Sequence, residues 1–506
     1  MTDIMQVLTP TAAPAWMSDG KSKREAWPDE VADYLHAKTL ATLLAGCYRW
    51  ATHRQKWMAY ANGVWRPCGD ERMALAASEA LRRHYVEMLA HAGDSGEVLR
   101  LNGLVCQTCI LARVTSALGF LKGWPGFYTE SPEWDADLWS LCCANGVLDL
   151  RTGGLRSYTP DDLFTKQTGA PFDAGAQCPH WLAHLARFLP SADVRRQVQR
   201  ALGVALVGAT LEESLDLWHG VGKNGKSTTE RALLAVLGDY GGVVAPNLLM
   251  ASKYERHSCE LADLSGYRVL FSTETEANRR LAESLVKQVT GGEPIKARFM
   301  YGDFFSFERT FSLTLVTNHR PNITGQDLAI WRRIRLIPWL ETIAEAEQRP
   351  QDEVVAELAQ EGGGILAWLV AGLQDWQADH RWMATEVQAA TDAYRAEQDA
   401  LGGFLDDECA MGARFTVGVG ELYEAYTAWA TQTSEEPLGK KTFSQALLSR
   451  GMGQVRTGKA GRRWIGLHLV TDGDTSSITC QEILLKGSSS TSVTICHQDD
   501  YEEIHL

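Results

Sequence analysis

Gly220-Val-Gly-Lys-Asn-Gly-Lys226-Ser227 is a full G-x-x-x-x-G-K-S pattern. In such a loop the glycines let backbone N–H groups turn inward around a polyphosphate. Lys226 brings a mobile positive charge to its outer oxygens, and Ser227 offers a hydroxyl to Mg²⁺. The flanks agree, since Leu215 to His219 is a mostly apolar run and Thr228 to Leu237 reads as a helix, which would seat a phosphate at a helix N-terminus. Gly220, Gly222, Asn224, Gly225, Lys226, Ser227 and Thr228 are therefore the candidate nucleotide-binding residues, with ATP and Mg²⁺ as the implied cofactors. The competing reading, a glycine-rich turn that matches by chance, does not account for those flanks.

Downstream acids decide what such a loop does. Arg268-Val-Leu-Phe-Ser-Thr-Glu274-Thr-Glu276 is a short apolar strand ending in two acids, one able to hold the metal shell and another to orient an attacking water. Glu274 is favoured for the metal or water role and Glu276 is second choice; acids that merely face solvent are the bland alternative. A further strand, Leu313 to Thr317, ends at Asn318, whose amide both donates and accepts and so can bridge a γ-phosphate and water. Arg332 and Arg333 follow, and an arginine there can reach a neighbouring subunit's γ-phosphate, although an arginine pair taken alone is more often a surface feature. Between these strands a Gly291-Gly292 turn precedes Lys296, Arg298, Phe304 and Phe305. That pattern suits a hairpin presenting Lys296 or Arg298 to a DNA backbone and a ring to its bases, and equally suits a packed hairpin with snorkelling basic residues.

The elements that must position these residues follow from periodicity. Residues 1–26 lack sustained periodicity and read as a flexible arm; 27–200 read as a mainly helical domain with small strand pairs turning at Asn62-Gly63 and Asn145-Gly146. Short apolar runs alternating with helical stretches over 201–345 are the pattern of an α/β layer. A helical extension covers 346–400, a small basic domain 401–470, and an acidic, Ser/Thr-rich tail 471–506 reads as disordered. The stretch 437–470 holds seven basic residues and no acids in a chain of formal charge -14, a local footprint for phosphates. Lys440, Lys441, Arg462 and Arg463 are its candidate DNA contacts.

At 506 residues the chain suits about three domains. Its 45% hydrophobic and 22% charged residues are ordinary for a globular protein. The negative balance argues against a nucleic-acid coat or membrane-surface binder, though not against DNA in a narrow channel. No apolar run has the length of a spanning helix and the N-terminus carries no leader pattern, so a cytoplasmic protein without a membrane partner is expected. Eleven scattered cysteines suit reduced thiols; Cys106 and Cys109, on what reads as an apolar helix face, are expected to be buried rather than to bind zinc.

The order of these motifs resembles superfamily 3 helicases of phage and plasmid primase-helicase proteins, the vaccinia-type branch. The residues carrying the resemblance are 222–228, Glu274-Thr-Glu276, Lys287-Gln-Val-Thr-Gly-Gly-Glu with Lys296-Ala-Arg298, Thr317-Asn318-His-Arg-Pro321, and Arg332-Arg333. It extends upstream to Ala144 through Leu150 and downstream to Lys441-Thr-Phe-Ser and Arg462 through Gly466, so it covers about 30–470. The resemblance implies an AAA+-like P-loop NTPase motor between a mainly helical N-terminal domain and a small winged-helix-like C-terminal domain. It also implies a homo-hexameric ring with ATP between subunits, translocation on single-stranded DNA, action on forked DNA, and Arg332 or Arg333 as the trans finger. Replication of a phage, plasmid or other mobile element in a bacterial host follows, with a separate primase or polymerase as partner. Two features are expected to depart from the family: a short arm where many relatives carry a primase domain, and the acidic tail; Asp135 and Asp137, which echo a polymerase's paired acids, read as loop residues. An ATP-dependent initiator or switch that binds DNA without unwinding it is the alternative, and a small-molecule kinase lacks any acceptor signature.

Overall fold

The apolar runs between Leu215 and Trp339 become one parallel sheet in the computed structural model of the chain. The structure describes residues 32–470 apart from 246–247, 253–257, 275–278, 299–302, 326, 434–436 and 458–460. The arm expected at 1–26 and the tail at 471–506 lie outside the described residues. The chain divides into two units, one ending at Phe172 and the other beginning at Asp173.

In the first unit, α1 (Ala32–Leu43) leads into β1 (Tyr48–Ala51), β2 (Lys56–Ala61) and β3 (Val64–Cys68). Three helices follow: α2 (Asp70–Ala90), α3 (Ser95–Thr108) and α4 (Leu111–Leu121). β4 (Tyr128–Thr129) completes a sheet of order β3-β2-β1-β4, and β5 (Ser140–Cys143), β6 (Gly146–Asp149) and β7 (Leu155–Arg156) form a second sheet in chain order. Asn62 and Gly63, at φ +52° and +89°, make the two-residue turn between β2 and β3, because only such residues take two consecutive left-handed positions cheaply. The helices close over Leu40, Ala77, Leu81 and Leu121, with Trp50 and Trp57 meeting edge-to-face at 5.4 Å beneath them.

Asp135 accepts from the Thr165 amide at 2.7 Å, and Asp137 accepts from the Trp139 amide at 3.1 Å, so both tie down local loops. One thiol expectation is corrected. Leu101, Leu104 and Thr108 form the buried stripe of α3, which leaves Cys106 and Cys109 exposed. Cys142 and Cys143 on β5 are buried instead, and burial pushes both thiols up to about 12.

The second unit begins with α5 (Pro179–Phe188) and α6 (Ala192–Ala205). β8 (Leu215–His219), α7 (Lys226–Leu237), β9 (Gly241–Val244), α8 (Ser258–Ala262) and β10 (Val269–Glu274) come next. Then follow α9 (Glu283–Thr290), β11 (Ile295–Arg298), β12 (Phe304–Phe307), β13 (Ser312–Thr317), α10 (Leu328–Trp331) and β14 (Ile334–Pro338). Sheet order is β14-β8-β13-β10-β9, and every pairing is parallel. A parallel sheet covered on both faces needs nearly continuous apolar strands, which is why Leu215, Leu217, Leu313, Leu315 and Leu336 share one core. In register, Thr317 pairs with His219 and Glu274, and His219 pairs with Pro338, so the strands end along one edge.

Helices α11 (Gln351–Gln360), α12 (Gly362–Ala378) and α13 (Thr385–Glu397) continue the unit. The domain boundary expected at 200 is displaced because α6 packs along α12. A Cβ on Gly203 would lie 2.4 Å from the Leu373 nitrogen, and Arg200 and Arg196 share the Asp375 carboxylate at 3.0 and 2.7 Å. The last segment is α14 (Ala400–Glu408), β15 (Cys409–Gly418), α15 (Val419–Gln432), α16 (Lys440–Ser449), β16 (Gly453–Thr457) and β17 (Gly461–Leu469). Its antiparallel sheet has order β15-β17-β16 and its own core of Phe404, Tyr426, Phe443 and Trp464. Among the described residues no single helix is long and apolar enough to cross a membrane.

Candidate functional site

β8 ends at His219 and α7 begins at Lys226, so the glycine pattern fills the connection at the C-terminal edge of the sheet. Gly222, Lys223 and Gly225 adopt φ of +98°, +51° and +75°. Left-handed residues interleaved with ordinary ones gather backbone N–H groups into a concavity suited to anions. Two glycines are also required by contact: a Cβ on Gly220 would lie 2.1 Å from the Trp339 carbonyl oxygen, and one on Gly225 would lie 2.4 Å from the Phe188 ring.

Lys226 is only 4% exposed and donates to the Gly220 carbonyl at 2.8 Å, to Asn224 Oδ1 at 2.9 Å and to Asn318 Oδ1 at 3.1 Å. Burial disfavours its charge and brings its pKa down to about 8. Asn224 is fixed in turn by donating to the Trp339 carbonyl at 3.1 Å. Ser227 is exposed and Thr228 half-buried at the start of α7.

Because β13 lies between β8 and β10, Asn318 at its end emerges beside the loop rather than one strand further away. Glu274 closes β10 and registers with Thr317, while Glu276 lies outside the described residues. Lys226 and Asn318 are thus directly joined, and Glu274 is placed by its backbone one strand beyond.

A cavity of about 630 Å³ opens over the loop. Its walls include residues that motif reading missed: Ala183, His184 and Phe188 from α5, and Val354 and Leu358 from α11. Arg187 pairs with Glu347, and Arg349 pairs with Glu357 at 2.5 Å, among the same lining residues. His184 Nε2 meets Thr229 Oγ1 at 2.9 Å, and burial lowers its pKa to about 4. The one available signal was the spacing of His180, His184 and Arg187 along an amphipathic helix, which specifies no ligand by itself.

The arginine pair is not in this cavity. Arg332, 58% exposed, and Arg333, 8% exposed, both reach Glu213 Oε2, at 2.8 and 2.6 Å. Arg333 also donates to Thr290 Oγ1 at 3.1 Å and to the Ala329 carbonyl at 2.6 Å, so it is built into the interior. β11 and β12 do form a hairpin. Lys296 and Arg298 are exposed on it, each with its cation 5.2 Å from the centre of the exposed Phe304 ring. In the last segment Lys440 and Lys441 are exposed at the start of α16, and exposed Arg462 registers with exposed Arg456 across β16 and β17. Arg463 is held by Thr416, donating to its Oγ1 at 3.1 Å and its carbonyl at 2.9 Å. Lys459 lies outside the described residues.

Comparison with known proteins bears on this arrangement. Residues 37–190 match the family described as D5 N terminal like, and 218–333 match a family of unknown function. A protein of Acanthamoeba polyphaga mimivirus, named as a candidate helicase, is 31% identical over 202 residues, which is 39% of this chain and 21% of the relative. One from Invertebrate iridescent virus 6, also named as a candidate helicase, is 22% identical over 360 residues, covering 63% of this chain and 37% of the relative. An African swine fever virus protein named as a candidate primase is 24% identical over 317 residues, covering 57% and 33%. A D5 N terminal like segment over 37–190 thus stands beside similarity to viral proteins named as helicases and primases. The chain spans between about a fifth and somewhat over a third of those relatives' lengths. A solved structure, the A form apo structure of the NrS-1 C terminal region, aligns with TM-score 0.47 and 10% identity over 86% of this chain and 100% of that one.

Proposed function

We propose that the chain is an ATP-driven DNA helicase of superfamily 3 type, acting in replication of a phage, plasmid or other mobile element in the cytoplasm of a bacterial host. One observation carries the reading: Lys226, in the loop after β8, shares a hydrogen bond with Asn318 at the end of the inserted strand β13. That pairing sets a phosphate-neutralising cation beside an amide able to hold a water, the combination an AAA+-like P-loop NTPase needs for hydrolysis.

The residues present fit a nucleotide. Left-handed Gly222, Lys223 and Gly225 turn the loop backbone into a concavity suited to phosphates, and Lys226 would exchange its uncharged oxygen partners for phosphate oxygens. The loop chemistry implies Mg²⁺ as the accompanying metal. Ser227 and Glu274 would hold it, and when bound it would offset charge gathering on the phosphates. Thr228 follows Ser227 into the first turn of α7 and would face the same phosphates. Glu276 remains the second choice for orienting water.

In the proposed hexameric ring the finger role falls to Arg332, since Arg333 is committed to Glu213, Thr290 and Ala329. Lys296, Arg298 and Phe304 form the surface offered to single-stranded DNA, cations for the backbone and a ring for the bases. The helix-strand-helix-helix-strand-strand order from α14 to β17 supports a winged-helix-like module, with Lys440, Lys441 and Arg462 toward duplex DNA and Arg463 bracing the wing. Priming would come from a separate primase or polymerase.

Strand separation of a forked DNA with ATP and Mg²⁺, beside a Lys226→Ala variant, tests the reading. Unwinding by the wild type alone supports the motor. ATP hydrolysis without strand separation would favour an initiator or switch.

A further inference from the structure

α5 is held at its start by the α11–α12 junction and at its end by the phosphate loop. At its start the Glu361 carboxylate accepts from the His180 and Trp181 amides at 3.1 and 2.9 Å and contacts His180 Nδ1 at 2.7 Å. That caps the orphan N–H groups of the helix with a group from the α11–α12 junction. At its end the Phe188 ring fills the space that a side chain on Gly225 would need. Between the two sits His184, stacked on Trp181 at 6.3 Å and 15° and meeting the Phe188 ring near edge-on at 5.0 Å.

The polar edge of His184 faces the Thr229 hydroxyl and the Gly225 backbone. Thr229 Oγ1 has a single hydrogen, and it donates that hydrogen to the Gly225 carbonyl at 2.9 Å. With the hydroxyl donating to Gly225, it accepts from His184 Nε2, 2.9 Å away, in the tautomer that carries its proton on Nε2. The result is a directed chain from the imidazole to Thr229 and on to the carbonyl of Gly225, the left-handed residue immediately before Lys226.

We propose that His184 is a positioning residue for the phosphate loop, acting through Thr229 on Gly225 to hold the turn that receives the nucleotide's phosphates. This rests on the nucleotide-binding reading of the loop. The ring stays neutral at ordinary pH because burial holds its pKa near 4, so it places no second cation beside Lys226. A residue that merely filled space between Trp181 and Phe188 would not need that donor.

The test is binding of a fluorescent ATP analogue to the full chain, with steady-state ATP hydrolysis and melting temperature measured alongside. His184→Leu keeps bulk and removes the donor; Thr229→Val keeps shape and removes the relay; His184→Gln restores an N–H donor. His184→Leu is expected to weaken nucleotide binding roughly tenfold, the scale of one lost hydrogen bond at a preorganised site, with the loss falling on KM more than on kcat. Thr229→Val should do the same, the double variant should be no worse than either single one, and His184→Gln should recover most of the affinity. Wild-type affinity in His184→Leu, or full additivity in the double variant, overturns the positioning role while leaving the nucleotide reading intact. A wild type that binds no nucleotide overturns both.

Discussion

Lys226 Nζ and Asn318 Oδ1 stand 3.1 Å apart, joining the loop after β8 to the end of β13. Among the described residues the ammonium is held by three uncharged oxygens, and burial brings its pKa down to about 8. Two opposite slopes follow. The folded pKa is below the ordinary lysine value of 10.5, so the folded state binds fewer protons than the unfolded one between these values and stability rises with pH across that window. Affinity for a nucleotide, which needs the charge, should fall over the same range, by about tenfold per pH unit once Lys226 is mostly neutral. Titration of the fluorescent analogue between about pH 7 and pH 9 checks the second slope. Melting of the wild type beside Lys226→Met checks the first, and an unchanged slope in the variant would assign it to another group.

Gly225→Ala should abolish measurable nucleotide binding and lower the melting temperature, since two penalties coincide at that residue. Its φ of +75° costs an alanine roughly 1–2 kcal/mol, and the added Cβ would strike Phe188 at 2.4 Å. Removing the ring as well, in Gly225→Ala with Phe188→Ala, relieves the contact and leaves the backbone cost. Partial recovery of melting temperature without recovery of binding is therefore expected. Full recovery of both would show that the turn does not depend on the left-handed conformation.

What could be read from the chain alone depends on how locally each feature is specified. The loop needs only neighbouring residues to define it, and Asn318 is marked by its place at the end of an apolar run, so their chain order was visible without a fold. That the two touch depends on β13 entering the sheet between β8 and β10, which no local pattern states. α5 was invisible as part of the site for the same reason: the packing of α6 on α12 through Gly203 and Arg200 brings it into the second unit. Arginines adjacent in sequence likewise looked interchangeable, yet the turn after α10 sends Arg333 inward and leaves Arg332 outside.

That difference gives separable outcomes. Arg332→Ala should fold and bind nucleotide as the wild type does, but lose hydrolysis by about a hundredfold or more, as expected for a charge acting on the transition state. Mixing it with Lys226→Ala subunits should restore part of the activity, because an intact loop then meets an intact finger from its neighbour. Arg333→Ala should instead lower stability by about 2–3 kcal/mol, as its partners Glu213 and Thr290 lose a buried donor. Normal hydrolysis by Arg332→Ala would remove it from the reaction.

The C-terminal segment makes a prediction in salt rather than in rate. Lys440, Lys441 and Arg462 are exposed, whereas Arg463 spends its guanidinium on Thr416 and joins β17 to β15. Neutralising one phosphate contact lowers the slope of log K against log salt by about 0.9. Arg462→Gln and Lys441→Gln should each weaken duplex binding at low salt and flatten that slope by roughly this amount, with little effect on melting. Arg463→Gln should shift melting instead, because it releases two hydrogen bonds between strands, and should change the slope less. If Arg462→Gln and Lys441→Gln together leave the slope unchanged in a salt titration of duplex binding, the DNA is held elsewhere, and the hairpin carrying Lys296 and Arg298 becomes the surface to titrate.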